Sequence, residues 1–395
     1  MIYLDYAASS PMCEEALQTL MTMSRDVYAN ASSLHDGGGR ASHIVEQSRE
    51  FIAGLIDGQK DGLFFTSGGT ESNILAIQSL ARGLPMERRH ILTSVLEHHS
   101  VKLAVSELVS LGYEVDYICP DASGRITPQQ IEPLLRPDTG LVSIQHANSE
   151  TGLVQDISMI GTFLHERGIL LHTDAVQTFG KIRFSARDLG ADAISISAHK
   201  VQGPKGVGAV YIRPGIPFVS AHPGALHERG FRPGTVNVPS IAAFAAAAVH
   251  TCGRLEQTAN HYRLLRQRLK ERFRACGLSA YLVTDRLPGS ESNESNESNK
   301  VNVLPHIAGC AGLGYEGQYV MLECNRKSIC ISTGSACSSG QHAVPETLVA
   351  LGLSEREGHS FFRISFGPET TMQHVDLLVQ ALHELEQTKK EGSFL

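Results

Sequence analysis

Ser195-Ile-Ser-Ala-His-Lys200, followed closely by Gly203-Pro-Lys-Gly-Val-Gly208, decides how this chain is read. The apolar alternation over residues 192–197 predicts a strand that delivers one lysine to a glycine-rich turn, where backbone can approach a ligand closely. A lysine so placed suits a Schiff base with an aldehyde. Leu171-His-Thr-Asp-Ala-Val-Gln177 predicts a second strand end, and its Asp174 lies 200 − 174 = 26 residues upstream of Lys200. Pyridoxal phosphate requires both parts. An amine holds its aldehyde, and a carboxylate keeps its ring nitrogen protonated so that the ring draws electrons from a bound substrate.

Further upstream, Leu63-Phe-Phe-Thr66 predicts a strand, and Ser67-Gly-Gly-Thr-Glu-Ser-Asn73 turns it into a helix running to about residue 81. A strand, a glycine turn and a helix N-terminus offer free N–H groups and hydroxyls to an anion, which makes this stretch a candidate phosphate cradle. The stretch has neither the Gly-Lys-Ser/Thr of a Walker loop nor a GxGxxG fingerprint. His90-Ile-Leu-Thr-Ser94 predicts the next strand, with Glu97-His-His-Ser100 at the start of the helix after it. Adjacent histidines diverge on a helix, so a shared metal is not expected; one of them stacking on a ring is.

Strands are expected again near residues 114–119, 141–146, 169–173 and 208–212, with helical patterns between most of them. The result is an α/β fold built on a mixed sheet of about seven strands, with ligand groups at strand ends. Helices are expected over residues 14–23, 41–56, 241–250 and onward to 276, and residues 29–39 read as a loop. We place the large domain at residues 13–255, and assign 1–12 with 256–395 to a smaller α+β domain. The Glu-Ser-Asn tract at 290–299 reads as a polar surface loop. Ser332-Thr-Gly-Ser-Ala-Cys-Ser-Ser-Gly340, within a loop at about 328–345, presents Cys337 as a candidate nucleophile. Phe362-Arg-Ile-Ser-Phe366 alternates, and Arg363 on its polar side could clamp a carboxylate in a bidentate manner.

The chain has 395 residues, 42% apolar and 19% charged, with a net charge of −7, which argues against nucleic acid or an anionic membrane as the main partner. Eight cysteines without a CxxC pair suit reduced thiols in a cytoplasmic setting, and no metal site is expected.

Taken together, LDYAASSP, NASSLH, FFTSGGTESN, EHHSV, ANSETG, HTDAVQTFGK, SISAHKVQGPKGVGA, ERGFRPGT, STGSACSSG and FRISFG resemble the cysteine desulfurases of the NifS/IscS type, fold-type I pyridoxal-phosphate enzymes. The resemblance implies that Lys200 holds the cofactor aldehyde, Asp174 its ring nitrogen and Gln177 its ring hydroxyl oxygen, while His98 stacks on the ring and shuttles protons. It further implies that Gly69, Thr70, Ser197 and His199 bind the phosphate, with Thr235 reaching in from the partner of a homodimer. Asn148 and Arg363 would orient L-cysteine, and Asn30 is a further candidate for its carboxylate. The implied reaction converts L-cysteine to L-alanine through a Cys337 persulfide, whose sulfur goes to an iron–sulfur scaffold, a tRNA-thiolation enzyme or quinolinate synthase. Tyr6, Ser149, Pro233 and His227 depart from the family pattern and bear on acceptor and rate more than on reaction type. A selenocysteine lyase or a small-substrate aminotransferase is the nearest alternative enzyme. A non-catalytic sulfur carrier is the alternative outside enzymes.

Overall fold

The protein is described from a computed structural model, which covers residues 1–224, 226–290, 302–334 and 344–392. Cys337 and most of the 290–299 tract lie outside the described residues. The chain opens with β1 (Ile2–Tyr3). One sheet then takes β2 (Leu63–Thr66), β3 (His90–Ser94), β4 (Glu114–Ile118), β5 (Thr139–Ser143), β6 (Leu170–Asp174), β7 (Ala193–Ser197) and β8 (Gly208–Ile212), in the order β2-β8-β7-β6-β5-β3-β4. Every pairing is parallel except those that β8 makes with β7 and β2. This is the mixed seven-stranded α/β sheet that the sequence predicts.

Strands β2, β3, β5, β7 and β8 are buried at every position, as strands covered on both faces must be. On one face Leu75, Ile77 and Leu80 of the helix Gly69–Gly83 pack with Val101, Val105 and Leu108 of the helix His99–Ser110. On the other, Val45, Ile52, Ile160, Leu164, Ile241 and Phe244 come from the helices Asp36–Gly54, Ile157–His165 and Val238–Cys252. β2 and β4 are the edge strands, and on β4 the exposed charges of Glu114 and Asp116 discourage further strand pairing.

A second core gathers Tyr262, Leu265 and Leu269 of the helix Leu255–Ala275 with Val375, Leu378 and Leu382 of the helix Met372–Gly392. Its strands are β9 (Tyr281–Leu282), β10 (Ile307–Ala311), β11 (Ile329–Cys330) and β12 (Phe362–Ser365), with β12-β10-β9 antiparallel and β11 beside β1. Leu4 belongs to this second core. Within a few residues the same segment reaches the first: Ser10 Oγ donates to the His199 carbonyl at 2.7 Å, and Cys13 N to that of Gln202 at 2.9 Å.

The helix expected from about residue 41 begins at Asp36, so the Gly37–Gly39 run read as loop is its first turn. Two contacts decide this. His35 Nδ1 accepts from Gly38 N at 3.2 Å, capping the helix, and a side chain at Gly38 would put its Cβ 2.1 Å from the Ser33 carbonyl oxygen. β10 and the C-terminal helix were not anticipated. Among the described residues no single helix is long and apolar enough to cross a membrane.

Candidate active site

The strands β2, β3, β5, β6 and β7 run parallel, so their C-terminal ends and the turns after them share one edge of the sheet. There a cavity of about 220 Å³ is lined by Gly69, Thr70, Asn73, His98, Ser100, Asp174, Gln177, His199, Lys200 and Arg363, with Ala7, Ala8, Gln145, Ala147, Ser149 and Val176. Loops at strand C-termini are where open α/β sheets place their ligands.

Each side chain has a structural reason for its position. Gly68, at φ 152°, turns the chain out of β2 into a conformation only glycine adopts readily, and the helix at Gly69 starts immediately. A Cβ on Gly69 would lie 2.9 Å from Val176 Cγ2 and 3.4 Å from Ser197 Cβ, so helix and strand ends are in contact there. β7 and β8 are joined by the short turn that holds Lys200, and Lys200 Nζ donates to the carbonyls of Ala7 at 2.5 Å and Ala8 at 2.9 Å. Gln177 Nε2 donates to the same Ala7 oxygen at 3.1 Å. Asp174 closes β6; its carboxylate accepts from Val176 N at 2.9 Å and from Asn73 Nδ2 at 2.7 Å.

His98 caps the helix His99–Ser110 and borders the cavity. Burial holds its imidazole below the ordinary range, with Lys200 and His99 adding to the effect and Asp174 opposing it. His199 is pushed down to about 4, by burial first and then by Lys200 and Lys205. Both rings are therefore neutral at neutral pH.

The residues fit pyridoxal phosphate. Ser197 Oγ is buried with no hydrogen-bond partner, beside Gly69 at the helix N-terminus, as an anion cradle awaiting its acceptor would be. Arg363 shows the same incompleteness. Its Nη1 donates to the Ser149 carbonyl at 2.9 Å and its Nη2 to Asp5 Oδ1 at 2.8 Å, but the buried Nε has no partner. Because Ser149 acts through its backbone, the departure from asparagine leaves that contact untouched.

Ser332 and Arg363 exchange both backbone hydrogen bonds, at 3.1 and 2.7 Å. The segment leading to Cys337 is thereby rooted beside the cavity as far as Gly334, the last described residue before it.

Among the described residues, Asn30, Asn148, Ser197 and Thr235 of the expected site do not line this cavity, and Thr235 is expected in that of a partner chain. Asn148 is buried with its Oδ1 accepting from Glu150 N, Thr151 N and Thr151 Oγ1 and its Nδ2 donating to the Leu96 carbonyl, so it organises a turn behind the cavity wall. Asn30 is exposed and accepts from Ser32 N. Thr235 is exposed and lines a different cavity, with Ser67, Arg232 and Asn237. Conversely, Asn73, Ser100, Asp5 and the carbonyls of Ala7 and Ala8 enter the site without having been singled out. Asn73 was within reach of the sequence: it falls one helical turn after Gly69 and Thr70, on the same side.

Known proteins align along the whole chain. A NifS protein of Bacillus subtilis (strain 168) is 51% identical over 394 residues, covering 100% of this chain and 96% of that protein. The cysteine desulfurase IscS of Anaeromyxobacter dehalogenans (strain 2CP-C) is 37% identical, covering 99% and 94%. Among solved structures, a NifS-like protein superposes with a TM-score of 0.87 at 30% identity, covering 100% of both chains. SspA in complex with cysteine superposes at 0.78 and 32% identity, covering 94% of this chain and 100% of that one. The family model "Aminotransferase class-V" matches residues 2–378, and the chain belongs to that family of pyridoxal-phosphate enzymes.

Proposed function

We propose that the protein is a cysteine desulfurase that converts L-cysteine to L-alanine and collects the sulfur on Cys337. The observation that carries the reading is one cavity bordered by Lys200, Asp174 and Arg363, with the segment leading to Cys337 hydrogen-bonded to Arg363 itself. The relatives named cysteine desulfurase, and the related structure that holds cysteine, favour this substrate over others.

When bound, pyridoxal phosphate supplies an electron-withdrawing ring that acidifies the Cα of an attached amino acid. Gly69, Thr70, Ser197 and His199 would hold its phosphate, Asp174 its ring nitrogen, Gln177 its hydroxyl oxygen, and His98 its face. Arg363, which borders the cavity, would take the substrate carboxylate. With the cofactor bound, Lys200 would remove the Cα proton of the substrate at Nζ. Cys337 thiolate then attacks the substrate sulfur. The C–S bond breaks, an S–S bond forms, the carbon skeleton takes up one proton at Cβ and regains one at Cα, and alanine plus Cys337 persulfide account for every atom of L-cysteine and the enzyme thiol.

A homodimer completes this reading: Thr235 does not reach the cavity of its own chain and is exposed for that of a partner. The acceptor is a protein that takes sulfane sulfur in a reducing cytoplasm, and faster transfer to quinolinate synthase than to a general iron–sulfur scaffold would identify a dedicated client.

The test is L-cysteine-dependent alanine release by the purified holoenzyme with dithiothreitol, beside Cys337→Ala. Release by the wild type and a loss of about a hundredfold or more in the variant is expected, in line with removal of a nucleophile. Full activity in the variant would favour a lyase acting without a persulfide. No alanine from either would mean another amino-acid substrate.

A further inference from the structure

Four side chains form a continuous hydrogen-bonded chain along the cavity wall: Asp174, Asn73, Ser100 and His98. The direction of every bond in it follows from donor and acceptor capacity. The Asp174 carboxylate only accepts, so the Asn73 atom 2.7 Å from Oδ2 must be the amide nitrogen. The second hydrogen of that nitrogen points to Ser100 Oγ at 2.9 Å. Asn73 Oδ1, by contrast, is buried and without a partner, so a flipped amide would bring two acceptors together at Asp174. Ser100 Oγ accepts from Asn73 and could still either give its hydrogen or accept a second one; what makes His98 Nδ1, 2.7 Å away, the acceptor is the backbone of Ser100. Ser100 N donates to Nδ1, at 3.2 Å. An imidazole nitrogen that accepts from two donors carries no hydrogen, and in a neutral ring the proton is then on the other nitrogen.

We propose that Asn73 and Ser100 are positioning residues that hold His98 as a neutral imidazole with its proton on Nε2, so that the resting enzyme presents a hydrogen-bond donor, and not a base, to the cavity. The inference rests on the site assigned under Proposed function and deepens it. The charged and titratable groups that face His98 are Asp174 from the end of β6, Lys200 from the turn after β7 and His99 on its own helix. For His98 to take up a proton at Nδ1, both contacts with Ser100 would have to break. Proton abstraction accordingly falls to Lys200, and His98 gives a hydrogen bond to whichever acceptor occupies the cavity. The same amide nitrogen braces Asp174, so one residue sets the orientation of both the ring and the carboxylate.

The test is nitrogen-15 NMR of the holoenzyme labelled at histidine, with His98→Gln identifying the His98 signals. A neutral ring protonated at Nε2 is expected near neutral pH. Protonation at Nδ1, or an imidazolium, would overturn the proposal whatever the reaction proves to be, and alanine release is read separately. In Ser100→Ala the Nε2-protonated population should fall, and kcat should drop about tenfold with KM changed less than about threefold, less than the roughly hundredfold or more expected for loss of a general acid or base itself. Ser100→Thr, which restores the hydroxyl, should recover both. If Ser100→Ala leaves both the His98 signals and kcat unchanged, the hydroxyl does not position the ring.

Discussion

Glu97, next to His98, is a carboxylic acid with nowhere to put a charge. It is wholly enclosed, its Oε1 accepts from Ser94 Oγ at 2.5 Å and Gln145 N at 2.9 Å, and its Oε2 has no partner. Burial pushes it up to about 8, so the folded protein keeps a proton there that an unfolded chain, at 4.5, has released. Stability from this group is fully present below the unfolded value and is lost as pH rises through the folded one, because the folded state binds more protons in between. Glu97→Gln, which cannot ionise, is expected to lose less thermal stability than wild type between about pH 5 and about pH 8.5; equal losses in both proteins would mean that Glu97 is not the group responsible. At this scale the sequence was legible where a motif carries its own geometry. Lys200, Asp174, Gln177, His98, His199, Gly69 and Thr70 border one cavity, each just after a strand or at a helix start. It was illegible where the chemistry is backbone or arrives from far along the chain. No side-chain pattern marks the carbonyls of Ala7 and Ala8 as acceptors for Lys200, 193 and 192 residues away. Nothing in the sequence announces that Asn148 holds its own turn through Oδ1 and reaches Leu96 through Nδ2.

The helix Asp36–Gly54 holds two glycines of opposite character, side by side in its first turn. A Cβ on Gly38 would meet the Ser33 carbonyl at 2.1 Å, whereas one on Gly39 would meet nothing within 4 Å. Helix propensity alone would favour alanine at both. Gly38→Ala is instead expected to destabilise by about 1–3 kcal/mol through overpacking against backbone. Gly39→Ala is expected to stabilise by about 0.5–1 kcal/mol by removing chain freedom. Denaturant unfolding of the two variants checks the pair, and the same sign for both would remove the close approach as the reason for the glycine run. Strand boundaries at β2, β3 and β8 were readable from apolar runs ended by glycine, serine or charge. β10 was not, because Ile307-Ala-Gly-Cys-Ala311 is built of small residues, and its Gly309 lets the Glu150 carbonyl and the Phe361 ring come within 2.8 and 2.9 Å of where a Cβ would sit.

Across the whole molecule, the first thirteen residues stitch the two cores together. Leu4 is buried in the second core, Asp5 holds Arg363, Ala7 and Ala8 hold Lys200, and Cys13 bonds to Gln202. Leu4→Ala is expected to cost about 2–5 kcal/mol for the cavity it leaves, and, because the same segment presents the carbonyls to Lys200, to weaken cofactor retention on dialysis as well. A destabilised variant that retains cofactor like wild type would show that the loss at Leu4 is not passed along the segment. The sheet order carries a further consequence, in time. β2 has a single neighbour, β8, which is synthesised more than a hundred residues later, whereas β7 and β8 can pair as soon as both exist. A growing chain that has not yet reached Gly208 thus holds β2, which leads into Gly69, without its sheet partner. The lysine turn can close locally, whereas the strand that carries Gly69 gains its only sheet neighbour when β8, the last strand of the sheet, has been made.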